Sequence, residues 1–253
     1  MSELVSIITP SYNTALYIGQ TIEGVQAQTY TNWEMIIVDD CSEDDTDFIV
    51  QKYLLDSRIR YIKNKKNSGA AVSRNRALQE AKGKWIAFLD SDDVWVPEKL
   101  EKQIAFMKTR NCQFSYTNYE EIDAQSQPLG VFVSGPKKIS KLGMFGYCWM
   151  GCLTVMYDRE YIGLIQIKDI KKNNDYAIWL EVSKKAECYL LNECLAQYRK
   201  RSGSISRQGI KSMIGWHYKL WHEIEDKSVV ASVWWTFINL VFGFYKKITY
   251  VKR

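Results

Sequence analysis

In the first part of the chain, short apolar runs alternate with helical patterns at a steady interval. This rhythm constrains the fold more than any other feature. The runs fall at residues 4–9, 35–38, 60–62 and 85–89, so strand starts lie about 25 residues apart, the length of a strand–helix–strand unit. Runs that are apolar at every position suit strands buried on both faces of a parallel sheet. Helical spacing fills the gaps: Leu16, Ile18, Ile22 and Val25 within 15–28, Phe48, Ile49, Tyr53 and Leu54 within 46–55, and Val72, Ala77, Leu78 and Ala81 within 70–81. The pattern predicts an α/β fold, a doubly wound, Rossmann-like and mostly parallel sheet flanked by helices, with further helices at the C-terminus.

The punctuation agrees. Ser42 to Thr46 opens a helix with capping residues and early acids. Pro97 stands at the start of a helix over 98–110, where proline is tolerated. After residue 110 the rhythm changes. Strands are expected at 113–119 and 131–133 around a polar turn, 124–130. A mobile Gly-, Lys- and aromatic-rich loop is expected at 134–150, an apolar strand at 152–157, and a helix at 175–185. No linker separates two domains. The expected division is 1–110 and 111–207 as two halves of one domain, then a helical segment, 208–253.

Composition excludes other classes. The chain of 253 residues is 46% hydrophobic and 25% charged, which rules out disorder. Six scattered cysteines with no CxxC pair make no zinc pattern and, with no signal peptide visible at the start, predict a reduced, cytoplasmic chain without disulfides. The only histidines, His217 and His222, are five apart in an aromatic helix, and packing explains them better than a nucleophile–histidine mechanism. The net charge of +5 is unevenly spread. Residues 199–253 hold 11 Lys/Arg and 3 Asp/Glu, so that segment is +8 and the rest −3. A basic tail on an acidic-leaning body suggests an anionic surface as partner.

Ligands of such sheets bind beyond the C-terminal strand ends. The first strand ends at Pro10-Ser11-Tyr12-Asn13. There is neither a GxGxxG nor a GxxxxGK[ST] motif. Tyr12 is placed to stack on a base or simply to cover the sheet edge. Asp40, ending the second strand, suits a base N–H or a helix cap. Asp90-Ser91-Asp92-Asp93 carries the strongest signal. Three carboxylates after a buried strand repel one another unless a cation is present, and hard oxygens suit Mg²⁺ or Mn²⁺; a solvated acidic turn is the alternative. Gly69 to Arg76 opens a helix with small residues, so backbone can approach phosphate, and Arg74 is within reach of a nucleotide. Asp175 stands at a helix start as a candidate base or a cap. Tyr198 to Ser204 clusters Arg199, Lys200 and Arg201 with hydroxyls and glycine, which suits diphosphate or a solvated basic loop.

Taken together, the segments VSIITPSYN, WEMIIVDDCSEDDT, NSGAAVSRNRAL, GKWIAFLDSDDVWVPEKL, GCLTVMYDRE, NDYAIWL and YRKRSGSIS, in order over residues 4–207, resemble family-2 inverting glycosyltransferases of the GT-A fold. The resemblance implies a nucleotide-sugar donor, usually a UDP-sugar, and an acceptor hydroxyl on a growing, lipid-linked bacterial capsule or surface polysaccharide. It implies that Tyr12 stacks on the base and Asp40 accepts its N3–H. Pro10, Arg74, Asp90 and Ser91 complete the nucleotide site. Asp90 and Asp92 form the DxD motif, with Asp92 the direct ligand of Mn²⁺ or Mg²⁺. Arg199 and Arg201 bind diphosphate, and Asp175 is the catalytic base. Two departures stand out. Asn174 replaces the acid that often precedes the base, and Arg201 stands where many members place histidine. A nucleotidylyltransferase would show a Gly-rich, Arg-containing loop after the first strand, which Pro10 to Asn13 is not. A non-catalytic, membrane-tethered binding module is the other alternative. Nothing points to nucleic acid, and the oligomeric state is not legible.

Residues 229–245 form a stretch of 17 without a charge, flanked by Lys246-Lys247 and Lys252-Arg253. A spanning helix needs about 20 apolar residues, and Thr236 and Asn239 interrupt this one. The expectation is a helix lying in the headgroup plane of an anionic membrane, making the protein peripheral at the inner face of the plasma membrane. A helix packed on the core or on another subunit is the alternative. Removal of residues 228–253 is expected to release the protein from vesicles.

Overall fold

The computed structural model describes residues 3–201 and 209–253. Four parallel strands form its nucleus: β1 (Val5–Ser11), β2 (Trp33–Asp39), β3 (Ile59–Lys63) and β4 (Trp85–Phe88), in the order β4-β1-β2-β3. They are joined by α1 (Ile18–Gln26), α2 (Thr46–Gln51) and α3 (Ala70–Glu80). Every residue of β1, β2 and β4 is buried, as their unbroken apolar runs require. Side chains alternate between two cores. Ile7, Met35 and Ile37 pack with Ile18 and Ile22 of α1. Ile8, Ile36 and Val38 pack with Ala77 and Leu78 of α3 on the other face.

A very short β5 (Val94–Trp95) and α4 (Lys99–Arg110) follow. The second half widens the sheet with β6 (Phe114–Ile122), β7 (Pro128–Val133), β8 (Lys138–Ile139), β9 (Met156–Asp158), β10 (Cys188–Arg199) and β11 (Val251–Lys252). Pairing here is mixed. β9 lies antiparallel between β4 and β6, and β10 runs parallel to β6. The parallel character thus belongs mainly to the N-terminal half. β10 escapes the sequence pattern because Asn192 and Glu193, which fall in the first of its two register shifts, break the apolar alternation.

Two expectations fail in this half. Residues 134–150 are not a mobile loop: they form β8 and α5 (Lys141–Gly146), capped by Ser140 Oγ, which accepts from Gly143 N at 3.2 Å. Met144, Phe145 and Trp149 are buried, and their packing supplies the order that Gly and Lys alone would not. Nor is 152–157 all strand. Cys152–Thr154 is a 3₁₀ turn, and only Met156–Asp158 pairs.

The helices α6 (Arg159–Ile162) and α7 (Asn174–Ser183) precede β10, and α8 (Ile210–Lys219) continues into a π-helical turn, Leu220–Ile224. α9 (Val229–Thr249) ends the helical part. Its polar residues Ser232, Thr236 and Asn239 are buried, whereas Val230, Val233, Trp234, Phe237, Phe244 and Ile248 are exposed. That is the reverse of a soluble amphipathic helix. Both ends of α9 are tied to the body. Trp221, Phe145 and Trp235 cluster near its start, and β11 pairs with β7 just after its end. All six cysteines are free.

Candidate active site

The register brings the expected residues to one edge. Ser11 of β1 lies opposite Asp39 of β2, and Ile8 opposite Phe88 of β4, so residues 12, 40 and 90 all leave the sheet at its C-terminal end. Pro10 fits inside β1 because even-numbered residues there face β4, whose ladder ends at Ile8–Phe88. Its missing N–H therefore leaves no partner unserved. Asn13 (φ 50°) and Cys41 (φ 66°) turn the chain sharply at the two ends, a strained geometry typical of functional loops. The turns lock together: Asn13 N donates to Ser42 Oγ, and Glu43 N to Asn13 Oδ1, both at 2.9 Å. Tyr12 is left 42% exposed at this edge, with its ring free to receive a planar ligand.

Asp40 is buried. Its Oδ1 accepts from Asn64 Nδ2 (2.8 Å) and Ser68 N (2.9 Å), and its Oδ2 from Gly69 N (2.6 Å). It fastens the loop that leads into α3, and Gly69 reaches it at φ 91°, where a side chain would be strained. Asn64, held by Arg76 Nη1 at 2.7 Å, is a partner the sequence reading missed.

The Asp90–Asp93 turn divides its carboxylates. Asp93 is fully buried and turned to β10, where its Oδ1 accepts from Arg199 N at 2.9 Å. Asp92 Oδ2 accepts from Arg201 Nε at 2.5 Å, and Asp90 is ion-paired with Arg74. Ser91 is buried between them. Burial raises the Asp92 carboxyl above its ordinary range, and Arg201 opposes that. Burial and then the Asp92 and Asp90 charges push Asp93 well up. A divalent cation fits this donor set in chemistry. Asp90 and Asp92 supply hard oxygens from one turn whose mutual repulsion a cation relieves, and Mg²⁺ or Mn²⁺ customarily completes its sphere with water and substrate phosphate. Among the described residues no group of three or more His, Cys, Asp or Glu forms a full cage.

Arg74, expected to contact the base, has protein partners on two sides. It is buried, one Nη donating to Asn174 Oδ1 and the other to Asp90 Oδ1, with Cys152 Sγ 3.7 Å away. One guanidinium therefore joins the acidic turn to α7. Asn174 takes up Arg74 in the position where the resembling sequences carry an acid, so the substitution keeps an acceptor there.

Asp175 lies in the first turn of α7, after Asn173 in the left-handed region (φ 58°), which asparagine tolerates. Its Oδ1 accepts from Tyr176 N at 2.8 Å, which serves one of the free N–H groups of the first turn. Burial raises its pKa above the ordinary value, and the Arg74 guanidinium acts in the opposite sense. Tyr176 OH donates to Met144 O at 2.7 Å, and Asn239 Nδ2 reaches Phe145 O (2.9 Å), Gly146 O (2.7 Å) and Tyr176 OH (3.3 Å). α9 is thereby bonded to the residue beside Asp175, a link that residue spacing does not reveal.

Arg199 is a correction. It is 1% exposed, and its donors are spent inside the protein: Nε on Asp92 O (2.7 Å), Nη1 on Ser126 Oγ (2.8 Å) and Nη2 on Gln20 Oε1 (2.6 Å). A buried guanidinium with its donors engaged does not reach a diphosphate; it holds the acidic turn. Arg201 is partly exposed and faces Asp92. Ser202 to Ser204, expected to complete that loop, lie outside the described residues.

The model of the family described as Glycosyl transferase family 2 matches residues 6–138. TuaG of Bacillus subtilis (strain 168), a glycosyltransferase named for teichuronic acid biosynthesis, is 45% identical over 91% of this chain and 92% of its own. WfgD of Escherichia coli, named as a UDP-Glc:α-D-GlcNAc-diphosphoundecaprenol β-1,3-glucosyltransferase, is 39% identical over 96% of this chain and 94% of its own. In structure, residues 1–349 of S. aureus TarS, crystallised with UDP-GlcNAc, superpose with a TM-score of 0.69 at 21% identity, covering 91% of this chain and 69% of that one. With the GT-A arrangement of strand ends and the acidic turn in place, the chain belongs to glycosyl transferase family 2.

Proposed function

We propose that this protein is an inverting glycosyltransferase that moves a hexosyl or N-acetylhexosaminyl group from a UDP-sugar to a hydroxyl of a lipid-linked saccharide in bacterial surface-polysaccharide synthesis. One observation carries the reading. Arg74 ties Asp90, at the donor end, to Asn174, the neighbour of Asp175, at the acceptor end, so both halves of a transfer reaction meet at one guanidinium.

Tyr12 stacks on the uracil, with the loop fastened by Asp40 beside it. Asp90 and Asp92 would hold Mn²⁺ or Mg²⁺, which supplies Lewis-acid neutralisation of the diphosphate. Arg201 lies beside Asp92 to stabilise the same developing charge. Asp175 accepts the proton of the acceptor hydroxyl while that oxygen attacks the anomeric carbon on the face opposite the diphosphate. The anomeric C–O bond breaks, its electron pair leaves on the diphosphate, and the configuration inverts. General-base help of this kind is worth about 10²–10⁴-fold. Product analysis tests the reading: UDP and an inverted glycoside are expected. Pyrophosphate as product would instead mark a nucleotidylyltransferase, and binding without turnover a non-catalytic module.

Residues 1–207 serve as the glycosyltransferase domain in this reading, and 208–253 as its membrane-facing extension. α9 is long and apolar enough to cross a membrane by length and composition, but only 17% of its most apolar window is buried. Its polar side is spent on the body, through Asn239, and its apolar side is open. That supports a helix lying in the headgroup plane of the cytoplasmic leaflet. Deleting 228–253 is a poor test, since it removes Asn239 and β11 from the fold. Trp234→Glu with Phe237→Glu is the better one. Release from phosphatidylglycerol vesicles with unchanged UDP affinity supports the docking, and undiminished vesicle binding refutes it.

A further inference from the structure

A cleft of about 580 Å³ opens between β6, β7, β11 and the last turns of α9. It is lined by the apolar Val131, Phe244, Ile248 and Val251 and by the cations Lys200, Lys247 and Arg253. Glu121 also lines it and is paired with Lys200 at 3.0 Å. Among the described residues, Lys247 and Arg253 have no ion pair. Three side-chain cations thus share one cleft with one side-chain carboxylate and an apolar lining, a combination that neither a sugar nor a nucleobase calls for.

The position matters as much as the composition. Lys200 stands between Arg199, whose Nε holds Asp92 O, and Arg201, whose Nε holds Asp92 Oδ2. Lys247 follows Lys246, whose Nζ lies 5.6 Å from the Tyr147 ring centroid. Burial lowers the Lys246 pKa, and Cys148 and then Asp175 act in the opposite sense. Consecutive Cα atoms are about 3.8 Å apart, so the cleft begins one residue from Arg201, the partner of Asp92, on one side and one residue from Lys246 on the other. At the far end, Phe244 and Ile248 belong to the exposed apolar face of α9, 68% and 67% exposed.

We propose that this cleft binds the acceptor's lipid diphosphate: the two phosphates lie among Lys247, Arg253 and Lys200, and the first isoprene units run over Phe244 and Ile248 toward the bilayer. The proposal rests on the lipid-linked acceptor of the preceding reading. Cations take the diphosphate charge, the apolar lining takes the chain, and the saccharide is left free to extend from the cleft. The C-terminal helix then selects the acceptor by its lipid carrier, separately from the donor.

The test uses the full chain and farnesyl diphosphate as probe, with inorganic diphosphate and phosphatidylglycerol vesicles as competitors. Lys247→Glu with Arg253→Glu, or the milder Lys247→Gln with Arg253→Gln should the first pair fold poorly, is expected to weaken farnesyl diphosphate binding at least about tenfold. UDP affinity and Tm should stay within error. Inorganic diphosphate should bind the wild type at least about tenfold more weakly than the isoprenoid, since it lacks the chain. Equal affinity of variant and wild type overturns the proposal. So does inorganic diphosphate binding as well as farnesyl diphosphate, which marks a bare anion site, or displacement of the probe by vesicles alone, which marks an ordinary headgroup site. Transfer assays separate the two readings. No transfer by the wild type to any diphosphate-lipid acceptor defeats the acceptor reading. Wild-type transfer with an acceptor KM that the Glu variants leave unchanged defeats the cleft alone.

Discussion

Arg201 Nε donates to Asp92 Oδ2 at 2.5 Å, so the carboxylate expected to bind metal is already held by a cation. Arginine and metal therefore compete for, or share, one carboxylate. Arg201→Ala is expected to bind Mn²⁺ at least as tightly as the wild type while losing about 10²-fold or more in transfer, because charge stabilisation at the diphosphate is gone. Asp92→Ala should lose both. Metal titration beside initial rates checks this, and weaker Mn²⁺ binding by Arg201→Ala would show that the arginine supports the cation instead.

Asp175 predicts a division between binding and chemistry. Asp175→Asn should lower kcat by at least about 10²-fold with UDP affinity nearly intact. A matching loss of UDP affinity would make the residue a helix cap and no more.

The pH profile follows from burial. If Asp175 is the base it works ionised, so kcat is expected to fall as pH drops through its pKa, which burial places above the usual 3.8. Asn174→Asp adds a like charge beside it, which disfavours the ionised form, so the acid limb should move to higher pH. A limb that stays fixed or moves down would mean that Arg74 absorbs the new charge.

Asn239 separates a docked helix from a spanning one. It is 1% exposed, accepts from Trp221 Nε1 at 2.9 Å and donates to two carbonyls of α5. Asn239→Leu leaves these groups unpaired and should cost about 3 kcal/mol, seen as a clear fall in Tm. An unchanged Tm would mean that α9 is not seated on the body.

Lys99 lies fully buried, its Nζ 3.9 Å from the Trp95 ring centroid and without a hydrogen-bond partner. Burial pushes its pKa well below 10.5. Between the lowered folded value and 10.5 the unfolded chain binds more protons, so wild-type stability rises with pH across that window. Lys99→Met should remove this slope and raise Tm at pH 7. A lower Tm would show that the cation–π contact outweighs the cost of burial.

The alternation of residues 4–89 was enough to determine the doubly wound core, because a strand buried on both faces must be apolar at every position and a covering helix cannot be. That Tyr12, Asp40, Asp90 and Asp92 share one edge was legible for the same reason: all four follow C-terminal ends of parallel strands. The tertiary structure alone decided what these side chains touch. Arg199 and Arg201 look alike in sequence, yet one is buried under Asp123 and Gln20 and the other faces Asp92. Arg74 bonds to Asn174, 100 residues further along the chain, and Asn239, an oddity in an apolar stretch, bonds to the helix of Asp175 through Tyr176. Periodicity reports which face of an element is buried. It carries no information about which distant element lies against that face, and in this protein the pairing of the acidic turn with α7, and of α7 with α9, is made by such long-range contacts.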